Sequence, residues 1–183
     1  MSMKERIASL VSYDPKTGVF ALAPRGPELF KKGRYSQLAG ASRWNKRWAG
    51  KRTMTTLDTS GYCQGKLLGK PYLAHRVAFL VMTGDWPSGH VDHINGNRAD
   101  NRWENLRQVT RFENQKNQKL YKNNKSGVMG VYFHRASEKW VARISHKGTE
   151  KYLGIFSDFE EAVAVRRAAE IKYEYHDNHG RVD

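Results

Sequence analysis

Asp92, His93, Asn105 and Asn114 fall in one stretch, His90 to Asn114 (HVDHINGNRADNRWENLRQVTRFEN), and they have the types and order to do chemistry. A carboxylate and an amide oxygen are hard ligands suited to Mg²⁺ or Mn²⁺, ions that keep several waters and accept phosphate oxygens in the remaining positions. An adjacent imidazole, unperturbed near pH ~6.5, can take a proton from water at neutral pH. A metal on one side of a phosphodiester and a base on the other describes in-line hydrolysis, with the metal stabilising charge on the phosphate and the leaving oxygen.

The elements that must position these groups are signalled locally. Asn95-Gly96 suits a two-residue hairpin turn with both central residues at positive φ, so Asp92 and His93 are expected at a strand end beside it. Thr110 is followed three residues later by Glu113, the capping-box signature of a helix start, which puts Asn114 in the first full turn. Between them Asn105 is suited to hydrogen-bond the backbone of a loop and hold it shut. Hairpin, pinned loop and helix make a ββα unit. Either piece alone also reads as a capped turn or a solvent-facing helix residue; their combination reads as a site.

DHINGN, NRWENL and VTRFEN resemble the HNH endonuclease motif of phage and intron-encoded nucleases, over roughly Tyr72 to Gln118. The resemblance implies that Asp92 and Asn114 are metal ligands, His93 the general base and Asn105 the middle Asn bracing the loop. The last motif position is Asn114, where many members have His. Upstream, YDPKTGVF resembles the start of many phage HNH proteins.

The composition supports a polyanionic partner. Thirty-two Lys and Arg against 18 Asp and Glu give a formal net charge of +14 over 183 residues, with a sequence pI near 10.0, so the surface field attracts nucleic acid. A mean hydropathy of -0.77 marks a polar chain. The single cysteine, Cys63, excludes an internal disulfide and a multi-Cys zinc ribbon. No apolar run approaches the ~20 residues of a membrane span, and MSMKERIASLV lacks a signal-peptide core. A phage or bacterial protein working in a reducing cytoplasm is expected.

Taken in order, Met3 to Val11 is expected as a helix, Asp14 to Gly18 as a turn and Val19 to Leu22 as a strand. From Arg25 to Lys51 cations and indoles interleave, above all in RWNKRW. Arg43, Lys46 and Arg47 there either grip phosphates, with the indoles stacking on bases or sugars, or belong to a half-buried strand pair whose Trp44 and Trp48 pack inward. Thr53 to Leu57, Tyr62 to Leu68 and Pro71 to Leu73 read as a strand meander. Leu73 to Met82 follows a helical period and carries His75 and Arg76, an HR pair that recurs ahead of the motif in the family it resembles. His75 either faces the site or satisfies a backbone carbonyl between helix and hairpin, the second being the ordinary role. His90 is structural or phosphate-facing, since an H-x-x-H zinc pair with His93 has no third soft ligand nearby.

Lys119 to Ser126 (KLYKNNKS) reads as a basic linker, with Lys119, Lys122 and Lys125 available to a phosphate backbone. Beyond it lie strands at Gly127 to His134, Lys139 to Ser145 and Glu150 to Phe156. A helix follows from a Ser157-Asp158 cap to about Tyr173, with Ala162, Val165, Ala169 and Tyr173 inward. GVYF, KWVARI and YLGIF resemble the DNA-binding domain of the APETALA and ethylene-response-factor type, over roughly Lys125 to Gly180. In that family the exposed sheet face enters the major groove, which by position implicates Tyr132, His134, Arg143, Ser145 and Tyr152. Several depart from the plant pattern of Arg and Trp, so no sequence preference carries over. The alternative is a face that only solvates.

The expected fold is therefore α+β. A small β-rich region and an HNH ββα-metal unit span 1–118, with the motif at 72–118. A basic linker spans 119–126, and a three-stranded antiparallel sheet on one helix, the AP2/ERF-like module, spans 127–183. The expected function is metal-dependent cleavage of double-stranded DNA by a monomer that nicks, using Mg²⁺ or Mn²⁺, with no protein partner evident. The alternatives are a non-catalytic DNA-binding regulator and an RNA-directed or structural nucleic-acid protein, the latter without any RNA-reading aromatic motif.

Overall fold

A computed structural model of the chain describes residues 1–31, 33 and 36–182. It divides into two compact units, Met1–Gln108 and Val109–Asp183.

The first unit opens with α1 (Met3–Ala8), capped by a reciprocal Ser2–Glu5 box. The helix stops short of the expected Val11, because Val11 already begins β1 (Val11–Asp14), which pairs antiparallel with β2 (Val19–Leu22) across the Asp14–Gly18 turn. The next segment differs from the β-rich expectation. Instead of a strand pair, the chain forms α2 (Gln37–Trp48), a run without a β-branched residue whose N-cap Ser36 accepts from the Ala39 N–H. Trp44 stacks under Arg25 at 3.9 Å, while Trp48 stays 39% exposed with Arg47 and Lys51 over its ring.

The expected strand at Thr53 to Leu57 splits at Met54, which has φ 57° and is buried. On one side β3 (Arg52–Thr53) joins β2; on the other β4 (Thr56–Leu57) joins β5 (Cys63–Leu67), which pairs with β6 (Lys70–Leu73). The left-handed residue turns the chain from one sheet into the next.

Helix α3 (Ala74–Thr83) follows at once and ends at Gly84 in the left-handed conformation. Its Ala74, Val77, Ala78, Phe79 and Leu80 enter a core with Ile7, Leu10, Val11, Phe20, Met54, Leu67, Val91 and Leu106. Arg76 donates to the carbonyls of Pro87 and Gly89, fixing the turn that delivers the chain to β7 (His90–His93). That strand pairs with β8 (Leu106–Val109) in a two-stranded sheet.

In the second unit α4 (Arg111–Gln115) starts at Thr110, whose hydroxyl and Glu113 form the anticipated capping box. The segment read as a linker, Lys119 to Ser126, is tied into this unit: Leu120 N–H donates to the Arg181 carbonyl, and the Asn124 side chain donates to that of Val128. Strands β9 (Val131–His134), β10 (Lys139–His146) and β11 (Thr149–Phe156) form an antiparallel sheet in the order β11-β10-β9. The two-residue turn with both φ positive lies here, at Lys147-Gly148. Helix α5 (Phe159–Lys172), capped by Asp158, buries Ala162, Val163, Arg166 and Ala169. The stripe therefore includes Val163 and Arg166 where Val165 and Tyr173 were expected. Arg166 is accommodated by donating to Glu170 and to the Arg143 carbonyl.

Candidate active site

Strand β7 carries the two central groups. Its pleat sends Val91 and His93 to one side and His90 and Asp92 to the other: Val91 joins the core, His93 meets α3, and Asp92 meets β8. His90 is exposed.

His93 is 3% exposed. Its ring lies 5.2 Å from that of His75, edge to face, and 5.8 Å from that of Tyr62. Burial pushes its imidazole below the ordinary range, opposed by the Asn101 amide and by the carboxylates of Asp92 and Asp100. His93 is thus held neutral near pH 7, the form that accepts a proton. Among the described residues His75 bonds no backbone carbonyl, the ordinary role for such a ring. Its ring packs between Tyr62 and His93, its Nδ1 is buried without a hydrogen-bond partner, and burial, the neighbouring His93 and Arg76 push its pKa down to about 3.

Asp92, 7% exposed, receives two hydrogen bonds from Arg107 on β8, from Nε at 3.0 Å and Nη2 at 2.8 Å, both on Oδ2.

The loop from Ile94 to Asn105 closes the site. It is not the two-residue hairpin the Asn-Gly pair suggests. The Gly96 N–H bonds the His93 carbonyl at 2.7 Å, which places Asn95 and Gly96 in the third and fourth positions of a turn that runs on into a longer loop. Asn105 staples that loop from inside: Oδ1 accepts from the Asn95 N–H, Nδ2 donates to the Asp100 carbonyl, and its carbonyl accepts from the Ile94 N–H. Asp100, held well down at about 2 by its bonds to Arg102, also accepts from the Asn95 side chain. From outside, the β1–β2 hairpin buttresses the loop. Tyr13 Oη donates to the Asn101 carbonyl at 2.7 Å, the Trp103 N–H donates to the Pro15 carbonyl at 2.9 Å, and Gly18 at φ +71° lies against the Asn101–Arg102 peptide.

Asn114 is half-buried on α4, in the second unit. Among the described residues no three His, Cys, Asp or Glu side chains cluster as a metal-ligand set. The donor chemistry is nevertheless that of a Mg²⁺-type ion. Such an ion takes one or two protein oxygens and keeps its waters, and Asp92 is a buried hard-oxygen donor fixed on a strand.

Of the residues proposed to touch DNA, Arg43, Lys46 and Arg47 are exposed on α2, Lys122 and Lys125 are exposed, and Lys119 is half-buried. Tyr132, His134 and Tyr152 are exposed on the C-terminal sheet. Arg143 stands opposite Tyr152 in the register, with its guanidinium 5.7 Å from the Tyr132 ring centroid and paired to Glu150. No helix among the described residues is long and apolar enough to cross a membrane.

Sequence reasoning missed Arg107, Tyr62 and Asn101. Arg107 was within reach: two residues past Asn105, on the strand paired with that of Asp92, it is the opposite charge a buried carboxylate requires. Tyr62 and Asn101 carry no local signal.

Residues 72–116 match the model of the HNH endonuclease family, a stretch that contains Asp92, His93, Asn105 and Asn114. Over this stretch the chain is similar to HNH endonuclease domains. The chain is also similar to Protein 3.8 of Escherichia phage T7, being 34% identical over 77 residues, which is 42% of this chain and 64% of that protein. The chain thus spans somewhat less than two thirds of its curated relative. No solved structure matches it.

Proposed function

We propose that the chain is a metal-dependent DNA endonuclease that hydrolyses phosphodiesters at the Asp92–His93 strand end, nicking as a monomer. The observation that carries the reading is the placement of His93: buried, held neutral, and adjacent to a carboxylate, within the stretch that matches the HNH endonuclease family.

Asp92 and Asn114 are the residues that would hold a Mg²⁺ or Mn²⁺ ion. When bound, that ion supplies charge neutralisation on the phosphate and the leaving oxygen. His93 takes a proton from a water as its oxygen attacks phosphorus; the P–O ester bond opposite breaks, and the leaving oxygen takes up a proton from solvent. The imidazolium formed is stabilised by Asp92, whose charge already favours it. Asn105 acts by keeping the loop after His93 closed.

The functional division proposed is a catalytic part at 1–118, a basic connection at 119–126 and a DNA-binding part at 127–183. A three-stranded antiparallel sheet on one helix, with Tyr132, Arg143 and Tyr152 grouped on it, supports an AP2/ERF-like groove contact for the last. Exposed Lys122 and Lys125 support phosphate contacts for the connection. Binding to double-stranded DNA and a cytoplasmic site of action follow from the same reading.

The test is cleavage of a supercoiled plasmid with and without EDTA, by the wild type and by His93→Ala. EDTA-sensitive nicking that falls by about 10²- to 10⁴-fold in the variant, with DNA binding retained, is expected for loss of a general base. Binding without any cleavage by the wild type would assign the chain to a regulator instead.

A further inference from the structure

Asp92, the proposed metal ligand, is engaged by the guanidinium of Arg107. Both hydrogen bonds from Arg107 converge on Oδ2, and neither goes to Oδ1. The contact is therefore not the parallel fork in which a guanidinium spans both carboxylate oxygens. The Asp92 side chain is 8% exposed and that of Arg107 36%, so the carboxylate is withdrawn from water while the cation reaches it from the solvent side. A buried carboxylate without a counter-charge is strongly unfavourable, and a chain that must bring Asp92 to its site before any ion arrives needs a cation in place.

Resting on the reading of Asp92 as a metal ligand, we propose that Arg107 is its resident counter-cation: it holds the carboxylate in position without metal and competes with the divalent ion for it. The ion then meets a carboxylate whose charge Arg107 already offsets at Oδ2 rather than a bare anion. With Asn114, an uncharged donor, as the other proposed protein ligand, this pairing sets how much metal the enzyme needs before it loads. Arg107 is in this sense a positioning residue that also weakens metal affinity, and removing its charge should strengthen binding.

The experiment measures Mn²⁺ binding to the full chain without DNA, by the electron paramagnetic resonance signal of free Mn²⁺, for the wild type, Arg107→Gln, Arg107→Lys and Asp92→Asn. Arg107→Gln is expected to bind Mn²⁺ more tightly, on the order of tenfold for a unit charge removed at hydrogen-bond distance in a partly buried site. It is also expected to gain more thermal stability from added Mn²⁺ than the wild type does. Arg107→Lys keeps the charge and should stay near the wild-type affinity, which separates charge from packing if Arg107→Gln is poorly folded. Equal or weaker Mn²⁺ binding by a folded Arg107→Gln overturns the proposal, as does a Lys variant that binds as tightly as a folded Gln variant. Asp92→Asn separates the two levels. Loss of Mn²⁺ binding there with no gain in Arg107→Gln sinks the counter-cation role and leaves the metal reading standing, whereas Asp92→Asn binding like the wild type removes Asp92 from the ligands and overturns both.

Discussion

The rings of His75 and His93 meet edge to face with centroids 5.2 Å apart, one from the first turn of α3 and the other from the end of β7. Both are buried, and burial favours the neutral form of each. His75 has the deeper shift, to about 3, and this has a thermodynamic consequence. An unfolded chain protonates His75 near pH ~6.5 while the folded chain does not. The stability contributed by the neutral ring is complete above that pH and is lost as pH falls toward 3, by up to about 1.4 kcal/mol per pH unit. Melting of the wild type should decline from pH 7 to pH 5, and His75→Phe should flatten part of that decline. His179, lowered to about 4 chiefly by burial, leaves a remainder in the second unit. An unchanged slope in His75→Phe would place the acid sensitivity elsewhere.

Asn105→Ala removes the acceptor for the Asn95 N–H and the donor to the Asp100 carbonyl inside the loop. The expected loss is on the order of 2 kcal/mol, the usual cost of leaving such groups without partners, read as a lower urea midpoint, together with reduced cleavage. A variant with unchanged urea midpoint and abolished cleavage would move Asn105 from loop brace to metal or substrate contact.

Gly18→Ala strikes the same loop from outside. The residue has φ +71°, and a Cβ built there would lie 2.5 Å from the Asn101 carbonyl carbon and 2.6 Å from the Arg102 nitrogen. Backbone on both sides has little freedom to yield, so strain and overlap add. The variant should lose several degrees of melting temperature and lower cleavage through displacement of Asn101 beside His93. Wild-type melting would show that hairpin and loop are not in firm contact.

Removing the exposed Lys122 and Lys125 and the half-buried, Glu150-paired Arg143 should act on binding alone. In Lys122→Ala, Lys125→Ala and Arg143→Ala, deleting a cation that neutralises a phosphate reduces the slope of log affinity against log salt by about 0.9, with single-turnover cleavage at saturating protein unchanged. A filter-binding salt titration checks this. Slopes identical to the wild type in all three variants would turn attention to Arg43, Lys46 and Arg47 on α2.

The local signals were legible where a few adjacent residues decide the structure. Thr110 and Glu113 make a reciprocal cap whatever surrounds them, and the Asp14–Gly18 turn needs only its own Asp and Gly. The strands of the C-terminal sheet follow from alternation between turn residues. What was hidden depends on distant partners. The twelve-residue helix α2 was masked by its Trp and Arg content, which reads as binding surface before it reads as helix. The split at Met54 is visible only once two sheets compete for neighbouring residues. Asn95-Gly96 has hairpin chemistry, but Asn105 draws the chain onward into a longer loop by bonding the Asn95 N–H, while the tight turn forms at Lys147-Gly148. In the candidate site, Asp92, His93 and Asn105 were apparent from type and order, whereas the pairing of Asp92 with Arg107 and of His93 with His75 emerged only from strand register and helix placement.

The buttress formed by Tyr13, Pro15 and Gly18 also bears on how far this site is portable. The stretch that matches the endonuclease family begins at Tyr72, yet the loop behind His93 leans on a hairpin encoded more than fifty residues upstream of that boundary. A graft of 72–116 into another scaffold would carry every proposed catalytic group and leave behind the surface against which they are held. The smallest transplantable cassette therefore starts before β1, and a shuffled or split version of the chain would need that hairpin supplied, even as a separate fragment, before its active loop could close.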